Sequence, residues 1–140
     1  MSRKSAKIAA LLEENQGQEL PAHYLAYFSC FNRQMFYEAH DVLEELWLAE
    51  GRDGANYGFY KGLIQFAGAF VHLQKNRLRP AAALFKLSQS YLIRYPAFHQ
   101  KLDVQLVIQI GTEWADLLAR KDFTINPLET NPAPVLQPQG

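Results

Sequence analysis

Apolar residues return every three or four positions in five successive stretches of the chain, and no stretch alternates apolar and polar residues as a half-buried strand would. The pattern predicts an all-α protein, a single bundle of about five helices built from αα-hairpins around a central helix. The sharpest stretch runs from Phe36 to Glu50, FYEAHDVLEELWLAE, where Phe36, His40, Leu43 and Trp47 fall on one stripe and most of the acids on other faces. That phase points His40 inward. Glu44 follows one turn later and sets its carboxylate beside the imidazole.

The neighbouring elements read from the same periodicity. Pro21 suits the first turn of a helix carrying Tyr24, Leu25, Phe28 and Phe31, which ends near Asn32 and leads straight into the Phe36 helix. The stretch from Ala55 to Asn76 is apolar around most of its circumference and is the expected central helix. One narrow face of it is small and polar: Gly58, Gly62, Gln65, Ala69, His72 and Asn76 project together at about 100° per residue. The expected neighbour for that face is the helix with His40 and Glu44. A fourth helix should start at Arg79-Pro80, turn Leu84, Leu87, Tyr91 and Leu92 inward, and stop at Tyr95-Pro96. A fifth, capped by Asp103, should run through Val107, Ile110, Trp114, Leu117 and Leu118, with Gly111 marking a close approach. The domain reading is an N-terminal arm over residues 1–20, ended by Asn15-Gln16-Gly17-Gln18, a helical bundle over 21–122, and a proline-rich extended tail over 123–140.

Composition narrows the function classes. With 140 residues, 49% hydrophobic, the chain is long enough for one real core. Its 14 basic and 14 acidic residues cancel, which speaks against nucleic-acid binding by a general positive excess. The lone Cys30 rules out an internal disulfide and a multi-cysteine zinc site. No signal peptide or membrane span is legible, so the expected location is cytoplasmic. Six acids and one base lie between Phe36 and Asp53, whereas Gly54 to Leu102 holds seven bases and no acid. The simplest account is pairing or solvation of adjacent faces. The sharper one is an anion site where Arg77 and Arg79 precede the helix start at Pro80.

Three runs carry a family resemblance: FNRQMFYEAHDVLEELW, GLIQFAGAFVHLQKN and YPAFHQKLDV. Together they resemble the domain of unknown function 309 family over roughly residues 22–118. Gln34, Asp41 and Lys75 depart from the family pattern. The resemblance implies a small all-helical bundle and no established biochemical activity.

The candidate site is the polar cluster His40, Glu44, Gln65 and His72, with Tyr37 and Trp47 as walls. As a structural or small-ligand-binding site, it would be a hydrogen-bonded network holding two helices in register or the lining of a pocket. A mononuclear hydrolase-type metal site is the alternative: His40, Glu44 and His72 around one divalent transition metal, with Gln65 nearby and water as the fourth ligand. Metal-free acid–base chemistry is a further reading, but Ser29, Cys30, Ser88 and Ser90 sit in no catalytic motif. A protein-interaction module is the remaining class. The expected partners are a small-molecule or anionic ligand, with homo-oligomerisation left open. Access decides between these readings, because a site for chemistry or binding must be open and a purely structural network sealed.

Overall fold

The computed structural model describes residues 3–15, 17 and 20–139, with side chains from residue 6 onward. Among these residues the helices are α1 (Arg3–Glu14), α2 (Ala22–Asn32), α3 (Phe36–Glu50), α4 (Tyr57–Gln74), α5 (Leu78–Leu92), α6 (Val104–Arg120) and the single turn α7 (Pro127–Thr130). The five expected helices are α2 to α6. The Gln16 and Gln18 of the expected first break lie outside the described residues. Three of the remaining boundaries have a clear local cause. Pro21 holds the position before α2 at φ −55°, Gly51 ends α3 at φ +75°, and the Asp103 carboxylate accepts the Leu106 N–H at 3.0 Å to cap α6.

α4 is the central helix, buried among α3, α5 and the tops of α2 and α6. The Phe70 ring meets Phe31, Phe36, Phe66, Phe85 and Trp114 at centroid distances of 5.0–5.5 Å, so four other helices converge on one side chain. Two carbonyls of α4 take an extra hydrogen bond from its flanks. Tyr27 Oη of α2 donates to Leu63 O at 2.7 Å, and Ser88 Oγ of α5 donates to Gly62 O at 2.7 Å.

Four expectations are corrected. The glycine half of the small α4 face does not meet α3 but α5. A Cβ on Gly62 would lie 2.8 Å from the Leu92 side chain and 3.2 Å from Ser88 O, and one on Gly58 would press Tyr95 and Tyr91. The inner stripe of α5 shifts accordingly. Ala81, Ala82, Phe85, Ser88 and Leu92 are buried, while Leu87 is exposed, because a helix brought this close must present small residues at the seam. Third, a minimal strand pair exists: Phe98–His99 (β1) pairs antiparallel with Leu102–Asp103 (β2). Its two turn residues, Gln100 and Lys101, have φ of +46° and +62°, the left-handed backbone of a two-residue hairpin turn, without the Asn or Gly that would have signalled it.

Fourth, the two ends of the chain pack onto the bundle. Ile8 and Leu11 of α1 are buried, as are Asn126 and Leu136 of the proline-rich segment. Asn126 Nδ2 donates to Leu73 O at 2.6 Å, and Asn32 both accepts from Leu136 N (2.8 Å) and donates to Leu136 O (2.7 Å). Beyond the helical turn α7 the tail is extended, and two asparagine side chains fix it to the bundle.

The contrast between two glycines tests the packing. Gly62→Ala should destabilise by about 1–3 kcal/mol through overpacking. At Gly111 a Cβ would meet nothing nearer than 3.5 Å. Gly111→Ala should therefore stabilise by roughly 0.5–1 kcal/mol from the lower helix penalty alone. Urea unfolding of both variants checks the pair.

Candidate functional site

α3 delivers His40 to the edge of the core rather than its centre. The buried line of the helix is Phe36, Ala39, Val42 and Leu43, so the stripe predicted through His40 and Trp47 is rotated off the core. The small Ala39 is the residue that faces the neighbours. His40 is consequently half-buried, its side chain 31% exposed, with Nε2 3.8 Å from Glu44 Oε2. Tyr37 lies one turn before it, its ring stacked at 6.1 Å on the imidazole.

α4 brings Gln65 and His72 to the same place, two turns apart on one face. Together with Tyr37, His40, Ile64, Gly68, Val71 and, from α5, Leu84, they line an open pocket of about 200 Å³. The walls are mainly apolar, and Gly68 leaves the floor without a side chain. Within this lining, His40 Nδ1, Gln65 Oε1 and His72 Nδ1 are buried and have no hydrogen-bond partner. The expected hydrogen-bonded network is thus not formed, although His40, Gln65 and His72 all line one cavity.

The other candidate residues are placed differently. Glu44 lies behind His40 at the rim, its side chain 40% exposed. Trp47 is not a wall of this pocket. It sits seven residues beyond His40, about 10 Å along the helix axis, against Tyr57 (5.2 Å) and under Lys61 Nζ (5.3 Å). Among the described residues, no three His, Cys, Asp or Glu side chains are gathered closely enough to hold a metal ion, so His40, Glu44 and His72 are not assembled as a ligand set. Rotation of α3 off the core puts Glu44 at the rim, away from the pocket that His72 lines. At the expected anion site, Arg79 is engaged by Asp122 at 3.9 Å and lies 4.3 Å over the Phe123 ring, while Arg77 is exposed. Pro80 has no N–H, and the Ala81 N–H is bonded to Arg77 O, which thins the donors available to an anion there.

The sequence pattern does not single out His99. Its Nε2 is 2.7 Å from Asn56 Oδ1, and its ring stands edge-on to Phe59 at 4.7 Å. The aromatic run YPAF before it was the available signal. Cys30 is fully buried, and burial pushes its thiol up to about 11, an unreactive core group.

Two histidines are held below the ordinary imidazole value of 6.5: His72 by desolvation, then by Arg77 and Lys75, and His99 by desolvation. Both are neutral at pH 7. In the unfolded chain they take up protons near 6.5, before the folded chain does, so stability must fall as pH drops below 6.5 and through the lower folded values. Thermal unfolding between pH 7.5 and 5 should show this decline, and the double variant His72→Gln, His99→Gln should flatten it.

Among the described residues no helix is long and apolar enough to cross a membrane. Residues 24–84 match the family model described as Domain of unknown function (DUF309). No curated protein and no solved structure matches the chain. The matched stretch holds His40, Glu44, Gln65 and His72 and supports the DUF309 resemblance on the first two of its three runs, while the third, YPAFHQKLDV, lies beyond the match.

Proposed function

We propose that the cleft between α3, α4 and α5 binds a small, largely apolar ligand that carries hydrogen-bond donors. The observation that carries this reading is the coincidence of one open pocket of about 200 Å³ with three buried, unpartnered polar atoms: His40 Nδ1, Gln65 Oε1 and His72 Nδ1. Leaving such an atom unpaired costs about 1–3 kcal/mol, and a ligand that supplies the missing partner recovers part of that cost on binding. A cavity of about 150 Å³ holds benzene, so the ligand is of single-ring size. Ile64, Val71 and Leu84 take its apolar body.

The polarity of the contact follows from Gln65. Its Oε1 can only accept, and His40, whose Nε2 lies 3.8 Å from Glu44 Oε2 and too far for a hydrogen bond, accepts at Nδ1 in one of its tautomers. The ligand must therefore present N–H or O–H groups, as a phenol, an amide or an amino-substituted ring does. Neutral His72 can complete the set in either tautomer. A metal-dependent hydrolase gains no support from this geometry, since Glu44 does not share the cleft with the histidines.

Single-ring fragments with and without N–H or O–H donors, screened against the full chain by amide NMR shifts at pH 7.5, test the reading. Donor-bearing fragments should shift His40, Gln65 and His72 together, and Gln65→Met should weaken them by about tenfold, the worth of one hydrogen bond. The same substitution should leave stability unchanged or raise it by up to about 1 kcal/mol, because it removes an unpaired buried amide. Fragments that bind regardless of donors, or a marked loss of stability in Gln65→Met, would replace the binding site with a structural network.

A further inference from the structure

A second opening lies at the C-terminal end of α3, where the chain turns toward α4. Trp47, Leu48, Gly51 and Arg52, with Tyr57 at the first position of α4, line an open pocket of about 230 Å³. Gly51 leaves the helix at φ +75°, and a Cβ there would meet nothing within 4 Å, so no neighbour closes the space over the turn. Trp47 and Tyr57 give the pocket aromatic walls with ring centroids 5.2 Å apart, and Leu48 adds an apolar side chain that is 65% exposed. None of these five residues lines the cleft between α3, α4 and α5.

The polar side chains around this pocket are mostly donors. Trp47 Nε1 is buried with no hydrogen-bond partner, and an indole N–H can only donate. The Arg52 guanidinium is exposed and forms no ion pair among the described residues, although Glu50 and Asp53 flank it in sequence. Lys61 Nζ, one turn beyond Tyr57, stands 5.3 and 5.8 Å from the centroids of the Trp47 and Tyr57 rings and 5.4 Å from that of Tyr91 in α5. Rings from three helices hold this ammonium in place, and it too forms no ion pair among the described residues. The cleft with Gln65 has the opposite polarity, since the unpartnered Oε1 there can only accept.

We propose that the pocket at the end of α3 binds a small aromatic carboxylate, with its ring against Trp47, Tyr57 and Leu48 and its carboxylate on the Arg52 guanidinium. The fork of a guanidinium fits a planar carboxylate through two parallel hydrogen bonds. Lys61 adds a second positive charge beside the same two rings, and the Trp47 N–H is a further donor for an acceptor on the ligand. A cavity of about 150 Å³ holds benzene, so this pocket has room for one ring and its carboxylate. A monoanion is favoured over a phosphate dianion, because Glu50, Asp53 and the negative end of the α3 dipole belong to the same stretch of chain.

Titration of the full chain with benzoate at pH 7.5, followed by NMR of the two tryptophan indole N–H groups, tests this. The Trp47 indole is identified by its contact with the Tyr57 ring, so the assignment needs no variant. Benzoate should move that resonance together with the Gly51, Arg52 and Tyr57 amides and leave those of Gln65 and His72 unmoved. Benzyl alcohol and benzylamine, which keep the ring but lack the negative charge, should bind about tenfold more weakly or worse. Arg52→Gln, a change at an exposed side chain, should weaken benzoate by about tenfold while the spectrum stays that of the folded chain. A Trp47 indole that ignores benzoate at tens of millimolar overturns the proposal. An equal response to benzyl alcohol, or an unchanged benzoate affinity in Arg52→Gln, would reduce the pocket to an apolar hollow and overturn it as well.

Discussion

The approach of α5 to α4 at Gly62 is the constraint from which the rest of the molecule follows. With no side chain at that point, Leu92 lies where a Cβ would stand, and Ser88 Oγ reaches the Gly62 carbonyl. This seam fixes the rotation of both helices. It turns the small residues of α5 inward, sends Phe85 against Phe66 and Phe70, and leaves the Gln65 and His72 side of α4 facing outward between α3 and the start of α5. There Gly68 provides no side chain to close the gap, and a Cβ on it would come within 3.1 Å of Leu84. Tight packing at one glycine and an open floor at another are two results of one helix placement.

Against that frame, the unpaired polar atoms of the cleft stand out by comparison with their surroundings. Several buried polar groups elsewhere are answered: Tyr27 by Leu63 O, Ser88 by Gly62 O, Tyr24 by Gln100 O, and Asn126 by Leu73 O. Of the four buried side-chain atoms without a partner among the described residues, three belong to residues that line the same pocket; the fourth is Trp47 Nε1. Three of the four thus belong to residues around one opening, where an outside partner has the most unsatisfied hydrogen-bonding capacity to meet.

The sequence made the helices legible because α2 to α6 are long and periodic, and α2, α3 and α6 are marked by a proline, a glycine and a capping aspartate. It also singled out His40, Gln65 and His72, and these three line one pocket, the latter two from one face of α4. What it could not show was which neighbour each half of that face would take. Gly58 and Gly62 fit α3 or α5 equally well on periodicity alone, and only the Leu92 and Ser88 contacts decide. His40 and Trp47 looked central because they are spaced with Phe36, but the smaller Ala39 and Val42 carry the core-facing line. The hairpin at Gln100-Lys101 lacks the turn residues that announce one. The tail's attachment was beyond reach for a different reason. It depends on Asn32 and Asn126, polar residues whose partners lie 104 and 53 positions away, and periodicity is blind to such bonds.

Those distant bonds also bear on the cleft. The turn between α4 and α5 contains Asn76 at φ +56° and begins just after His72, whose carbonyl accepts from both Lys75 N and Arg77 N. By itself such a turn is a weak support for a binding residue. Asn126 braces it from below through Leu73 O, and Arg79 ties its far side to Asp122 and Phe123, themselves in left-handed backbone at φ +51° and +59°. The segment after α6 thus holds the wall that carries His72, whereas the Asn32 bonds further along hold only the tail.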